Sequence, residues 1–273
     1  MKRPRLVAFD VDGTLIGRDL AISSAVREAI ARMLEAGTAG CLVTGRMYRA
    51  TIPFARELDF DSPLICYQGA AIIDPATDEV LAHCALGNEV VREIIEIAER
   101  DRMHLQLYRN DEYYCETRNR FSELYASLSM TQPIIVPSLR EAFAFSPATK
   151  AVIIADAPIA AQYAEKVRGI LDGRANVTRS LPEFVEVLDP TVDKGSALRF
   201  VAKRLGVPSE ETMAIGDSWN DAPLLEAAGF GVAMGSAPQE LRAIADAVVG
   251  DVAHDGVAEA IGKYVLAAGD EEA

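Results

Sequence analysis

At 273 residues, half of them hydrophobic and a quarter charged, the chain is long for a single domain and able to bury one large core or two smaller ones. Its 41 acidic against 27 basic side chains leave a formal charge of −14, and no Lys/Arg-rich block interrupts the excess, so nucleic acid is excluded as a partner. No apolar run approaches a membrane span, and Cys41, Cys66, Cys84 and Cys115 stand far apart with no C-x-x-C pair, so a cytoplasmic protein with reduced thiols and no membrane partner is expected.

The apolar run 6–9 predicts a short strand buried on both faces. Ser23 caps a helix whose Val26, Ile30, Met33 and Leu34 share one face, and Gly37 ends it. A second strand, 41–43, runs into Thr44-Gly45-Arg46 and a helix expected to open there, and a third covers 64–67. The texture then changes. Strands at 104–108, 113–116, 151–155 and 184–188 mix with helices at 88–102 and 158–171, and 104–108 alternates in polarity as a strand with one exposed face does. Beyond it a helix at 195–205, a strand at 212–215, a helix near Leu224, a strand at 231–234 and a strand at 247–249 restore the first pattern. The expected fold class is α/β, a Rossmann-like parallel-sheet core over 1–82 and 188–273 with an inserted α/β cap domain at 83–187. The last residues, 269–273, are expected to fray.

Residues able to do chemistry sit where these strands end. Asp10 and Asp12 follow the first strand, two apart on an extended segment, so both carboxyl groups reach one site, and Gly13 permits a close backbone approach. Thr44 and Gly45 follow the second strand and offer a hydroxyl and amides to a phosphate, or else Thr44 is only a cap. Lys194 precedes a helix, where the dipole disfavours a cation. Asp217 and Asp221, after the strand at 212–215, are hard oxygen donors suited to magnesium, and Asn220 either donates to a phosphate oxygen or joins the metal shell. In open parallel sheets ligands bind beyond the carboxyl ends of the strands, so the coincidence counts for more than any one residue. Arg46 is expected to support its loop. Arg109, Asp111, Glu112 and Tyr114 read as a solvated hairpin, and Trp219 as a packing residue. His83, His104 and His254 show no metal spacing.

Taken in order, D-V-D-G-T-L, L-V-T-G-R, D-K-G and G-D-S-W-N-D, followed by G-F-G-V-A-M-G-S-A and H-D-G-V-A-E-A-I, resemble the haloacid dehalogenase superfamily and within it the Cof-type, sugar-phosphatase-like group. The resemblance covers essentially the whole chain. It implies a magnesium-dependent phosphatase acting on a small-molecule phosphate ester, a sugar phosphate first among them. By that resemblance Asp10 is the nucleophile and Asp12 the general acid/base. Thr44 and Lys194 hold the phosphoryl group, with Gly45 and Asn220 beside it, and Mg2+ is bound by the Asp10 carboxylate, the Asp12 carbonyl and Asp217. A phosphomutase or phosphotransferase on the same fold, and a catalytically silent sugar-phosphate-binding protein, are the alternatives. Two positions depart from the family pattern: Gln68 and Ser236 each stand where Asn is usual.

Overall fold

The computed structural model describes residues 3–267, so the expectation of fraying at 269–273 lies outside the described residues. Five parallel strands form the core sheet in the spatial order Ala247–Val248, Phe230–Ala233, Thr212–Gly216, Leu6–Phe9, Ala39–Leu42. From Leu6–Phe9 the chain moves outward to one side first and to the other side later, which makes the boundary with Thr212–Gly216 the switch point of the sheet. Phe9 lies opposite both Leu42 and Ile215, so the chain leaves all three strands at the same end, and Asp10, Thr44 and Asp217 follow there. Val43 pairs with Ile65 and leads to a small antiparallel sheet of Leu64–Cys66, Ala71–Ile73 and Val80–His83.

The helix Ser24–Glu35 is capped by Ser23, whose hydroxyl oxygen accepts the Val26 N–H at 3.1 Å. Lys194–Arg204 opens on a capping box in which the Asp193 carboxylate accepts the Ser196 N–H at 2.6 Å. That cap fixes the first turn and with it the position of Lys194.

Between His83 and Leu188 lies the inserted unit. Its six-stranded sheet runs in the order Asn176–Thr178, Phe184–Leu188, Lys150–Ile154, His104–Arg109, Glu112–Cys115, Ile134–Ile135, antiparallel except for the last pair. Leu105, Leu107, Ala151, Ile153, Val185 and Val187 form one face and pack against the helices Asn88–Asp101 and Ala157–Leu171. The opposite face carries Gln106, Tyr108, Lys150, Val152, Phe184 and Glu186, all buried. The polar alternation of 104–108 therefore does not mark an exposed face. It marks the face turned to the core sheet's domain and covered by Tyr125 from the helix Arg120–Ser129.

No helix among the described residues is long and apolar enough to cross a membrane. Cys41, Cys66, Cys84 and Cys115 are free thiols.

Candidate active site

Asp10 is anchored by its own backbone, its N–H donating to the Ile215 carbonyl at 2.9 Å. Its carboxylate is buried and meets the Lys194 ammonium, Nζ to Oδ1, at 2.6 Å. The same ammonium donates to Asp221 Oδ1 at 2.5 Å. Asp221 in turn accepts the N–H groups of Asp217 and Ser218 on its other oxygen, both at 2.9 Å. It thus braces the Gly216–Ser218 turn and Lys194 together, and the oxygens less encumbered by donors belong to Asp10 and Asp217.

Carboxylate oxygens of Asp10, Asp217 and Asp221 all lie within 4.8 Å of one another. Burial pushes the Asp10 carboxyl up, the Asp221 charge adds to it, and Lys194 opposes both. Asp217 is raised likewise, by burial first and then by Asp10 and Asp221. Burial works against the Lys194 ammonium, but the aspartates on either side outweigh it and hold its pKa above the usual range. Crowded, buried, hard carboxylates fit a divalent cation, which relieves the repulsion that raises them. Gly13 gives an independent sign. It sits at φ +85° with an added Cβ 2.2 Å from Asp217 Oδ2, so only glycine lets the backbone after Asp12 lie against that carboxylate.

Arg46, expected in a structural role, reaches beyond its own loop. Its side chain, buried beneath the loop, grips Asp12 in a two-pronged ion pair, Nε to Oδ2 at 2.7 Å and Nη2 to Oδ1 at 2.6 Å. The helix expected at Thr44 begins only at Tyr48. In the intervening loop, Thr44 Oγ1 accepts the Arg46 N–H at 3.1 Å, while the Thr44 and Arg46 carbonyls accept the N–H groups of Gln68 and Tyr67. Thr44 and Gly45 are therefore held by a loop-to-loop clasp and not by a helix terminus. Tyr67, Gln68 and Gly69 all have positive φ, a strained run kept in place by these bonds.

Three residues overlooked in the sequence complete the surroundings. Lys150 donates to the Gly45 carbonyl at 2.7 Å and to Glu186 Oε2 at 2.6 Å. Glu186 also accepts Gln68 Nε2 at 2.8 Å and the Ser180 hydroxyl, and Gln68 Oε1 accepts Asn220 Nδ2 at 2.9 Å. Burial opposes the Glu186 charge, but Lys150, Ser180 and Gln68 overcome it and hold that carboxyl below its usual range. The signal was present: Lys150 and Glu186 are lone charges inside apolar strands, where an unpaired charge is rarely buried.

Asp10, Asp12, Thr44, Gly45, Arg46, Asp217, Ser218 and Asn220 line one narrow cavity of about 50 Å3, roofed by cap residues. Lys194 lies directly behind Asp10. Asn220 Oδ1 and Arg46 Nη1 are buried there without a partner. Other candidates fall elsewhere. Asp111, at the hairpin tip, accepts the Tyr67 hydroxyl at 2.7 Å and the Arg49 N–H at 2.9 Å and so ties cap to core. Arg109 lies over the rings of Tyr114 and Phe143, Glu112 reaches Arg49, and Trp219 is partly exposed beneath Arg179. Ser236 is exposed and outside the cavity lining, whereas Gln68 lies at the center of the clasp.

Residues 7–261 match the family described as haloacid dehalogenase-like hydrolase. The chain is 29% identical to the 5-amino-6-(5-phospho-D-ribitylamino)uracil phosphatase of Bacillus subtilis, spanning 96% of this chain and 98% of that one. It is 31% identical to the phosphoglycolate phosphatase of Methanopyrus kandleri, spanning 95% and 97%. A haloacid dehalogenase-like hydrolase from Bacteroides thetaiotaomicron, solved by crystallography, superposes with a TM-score of 0.84 at 31% identity over 96% of this chain and 99% of its own. A family match over nearly the whole length, on a parallel sheet with its acids gathered at the switch point, shows that the chain belongs to the haloacid dehalogenase-like hydrolases and is a phosphatase acting on phosphate esters.

Proposed function

We propose that the enzyme hydrolyses small phosphate monoesters in two steps through a phosphorylated Asp10, with Mg2+ as its cofactor. The observation that carries this reading is the Lys194 ammonium lodged between the Asp10 and Asp221 carboxylates, with Asp217 alongside. A carboxylate attacking a phosphate dianion meets repulsion unless positive charge is already in place. Lys194 supplies one such charge at Asp10. Held by the Asp10 carboxylate, the Asp12 carbonyl and Asp217, magnesium would supply more against the phosphoryl oxygens.

In the first step an Asp10 oxygen bonds to phosphorus while the ester P–O bond breaks, and Asp12 passes a proton to the departing alkoxide. In the second step Asp12 takes a proton from water, the water oxygen attacks phosphorus, and the acyl phosphate splits into inorganic phosphate and free Asp10. Arg46 fixes the direction in which Asp12 presents its oxygens, and its fork suits the ionised form that receives the water proton. Thr44 and Gly45 hold the phosphoryl group, with Asn220 at its edge.

Relatives named for a ribitylaminouracil phosphate and for phosphoglycolate differ in everything but the phosphate. That supports a common phosphate end and a variable remainder. Sugar phosphates suit the phosphate end as any ester does. Phosphate release from p-nitrophenyl phosphate, with Mg2+ and again with a chelator, tests the reading. Release that needs the metal and is unaffected by an added alcohol acceptor is expected. Transfer of phosphate to the acceptor as the main product points to a phosphotransferase, and binding without release to a sensor.

A further inference from the structure

The buried chain of bonds that joins cap to core has a direction, and charge sets it. Lys150 and Glu186 meet at 2.6 Å inside the cap, both fully buried. An ammonium only donates and a carboxylate only accepts. Gln68 must therefore turn its amide nitrogen to Glu186, Nε2 to Oε1 at 2.8 Å, and its oxygen the other way. Asn220 answers with its own nitrogen, Nδ2 to Gln68 Oε1 at 2.9 Å. Asn220 Oδ1 is what is left over, buried in the cavity wall without a partner. Each amide is oriented by the group before it, so the setting of Asn220 follows from a carboxylate on the cap.

The chain has little slack. Gly45 leaves the space it needs, since an added Cβ there would stand 2.4 Å from Gln68 Nε2 and 3.4 Å from Glu186 Oε1. Gln68 is itself fixed by its backbone, whose N–H donates to the Thr44 carbonyl at 2.9 Å. A buried oxygen that meets no donor costs free energy, and only a group offering a hydrogen or a positive charge relieves it. A phosphate dianion offers neither. Asn220 lines the same cavity as Asp10 and Asp217, so a divalent cation, or a water that it carries, is the partner that fits.

Resting on the phosphatase reading above, we infer that Glu186 and Gln68 are positioning residues for the metal side of the site: the cap carboxylate, acting through Gln68, sets the Asn220 amide so that its oxygen is left for the cation. In Glu186→Gln the order reverses. Lys150 still requires an acceptor and takes the new carbonyl oxygen, so the new NH2 faces Gln68. Gln68 then turns its oxygen to the cap and its nitrogen to Asn220, which accepts with Oδ1 and leaves Nδ2 to the cavity.

The test is Mg2+ binding by calorimetry to the wild type and to folded Glu186→Gln. Inhibition of p-nitrophenyl phosphate hydrolysis by inorganic phosphate, at saturating Mg2+, is measured alongside. Mg2+ is expected to bind about tenfold more weakly to the variant, the scale on which groups behind a metal ligand act, and phosphate at least as tightly as to the wild type. A through-space effect of the lost charge survives in Gln68→Met, where the chain is broken, and a relayed effect does not. In that background Glu186→Gln is expected to move Mg2+ affinity by less than about twofold. Gln68→Asn, one methylene too short to reach both partners, replaces the methionine variant if that one does not fold. Unchanged Mg2+ affinity in Glu186→Gln, loss of both affinities together, or an equal shift in the Gln68→Met background overturns the inference and leaves the phosphatase reading intact. A wild type that neither binds Mg2+ nor releases phosphate from any ester removes both.

Discussion

Arg46 holds Asp12 by both of its carboxylate oxygens, at 2.7 and 2.6 Å, and does so from beneath the loop that carries Thr44. One guanidinium therefore sets the direction in which Asp12 presents both of its oxygens. Lysine keeps the charge but cannot reproduce the fork. Arg46→Lys is expected to lower kcat by on the order of 10- to 100-fold, as loss of acid/base alignment does, with a smaller change in KM. Steady-state kinetics on one ester check the split.

The crowding of Asp10, Asp217 and Asp221 makes two substitutions act oppositely on the metal-free protein. Asp217→Asn removes a like charge whose neighbours already oppose it, so it is expected to raise the metal-free melting temperature. If Asp217 holds magnesium as proposed, a stabilisation by Mg2+ expected of the wild type should be absent in this variant. Asp221→Asn presents a donor to Lys194 or to the Asp217 and Ser218 N–H groups, and is expected to lower the melting temperature. Thermal scans with and without Mg2+ measure both.

Lys150 and Glu186 form an ion pair that water scarcely reaches, 2% and 1% exposed. Lys150→Met leaves the Glu186 carboxylate buried with its main partner gone, and a loss of about 3–5 kcal/mol is expected. The double change Lys150→Met with Glu186→Leu should recover part of that, since the buried charge is gone while Gln68, Ser180 and the Gly45 carbonyl still lose their partners. Chemical denaturation of the two variants against the wild type measures the difference.

His104 supplies one part of the pH dependence, that of the acid side. It is buried beside Gln106, Asn119 and the Phe121 ring, and burial pushes its imidazole down from 6.5 to about 4. Between those values the unfolded chain binds a proton that the folded cap refuses, so stability rises with pH across the window and is lost as pH falls from about 6.5 toward 4. His104→Gln is expected to flatten that part of the profile. Denaturation midpoints at several pH values, wild type against variant, isolate the contribution.

Much of this was readable in the chain. Short apolar runs ending in Asp10, Thr44 and Asp217 foretold three strands opening on one crevice, because a parallel sheet turns the carboxyl ends of its strands the same way. The alternation in His104–Arg109 is legible, but period two separates two faces without saying what covers either. Arg46 and Asp12 are 34 positions apart, and Glu186 and Gln68 are 118 apart. Periodicity reports on neighbours within one element. Pairs brought together by neighbouring core strands, or by the docking of the cap on the core, leave no local pattern, apart from a charge standing alone in an apolar strand.

The central claim is that phosphorus passes through Asp10, and the turnover of Asp10→Asn tests it most directly. The amide keeps the size of the side chain and removes its nucleophilic charge. With Mg2+ and an ester the wild type hydrolyses, the variant, shown folded by its melting transition, is predicted to be slower by on the order of 10³-fold or more. A rate within about tenfold of the wild type contradicts the account.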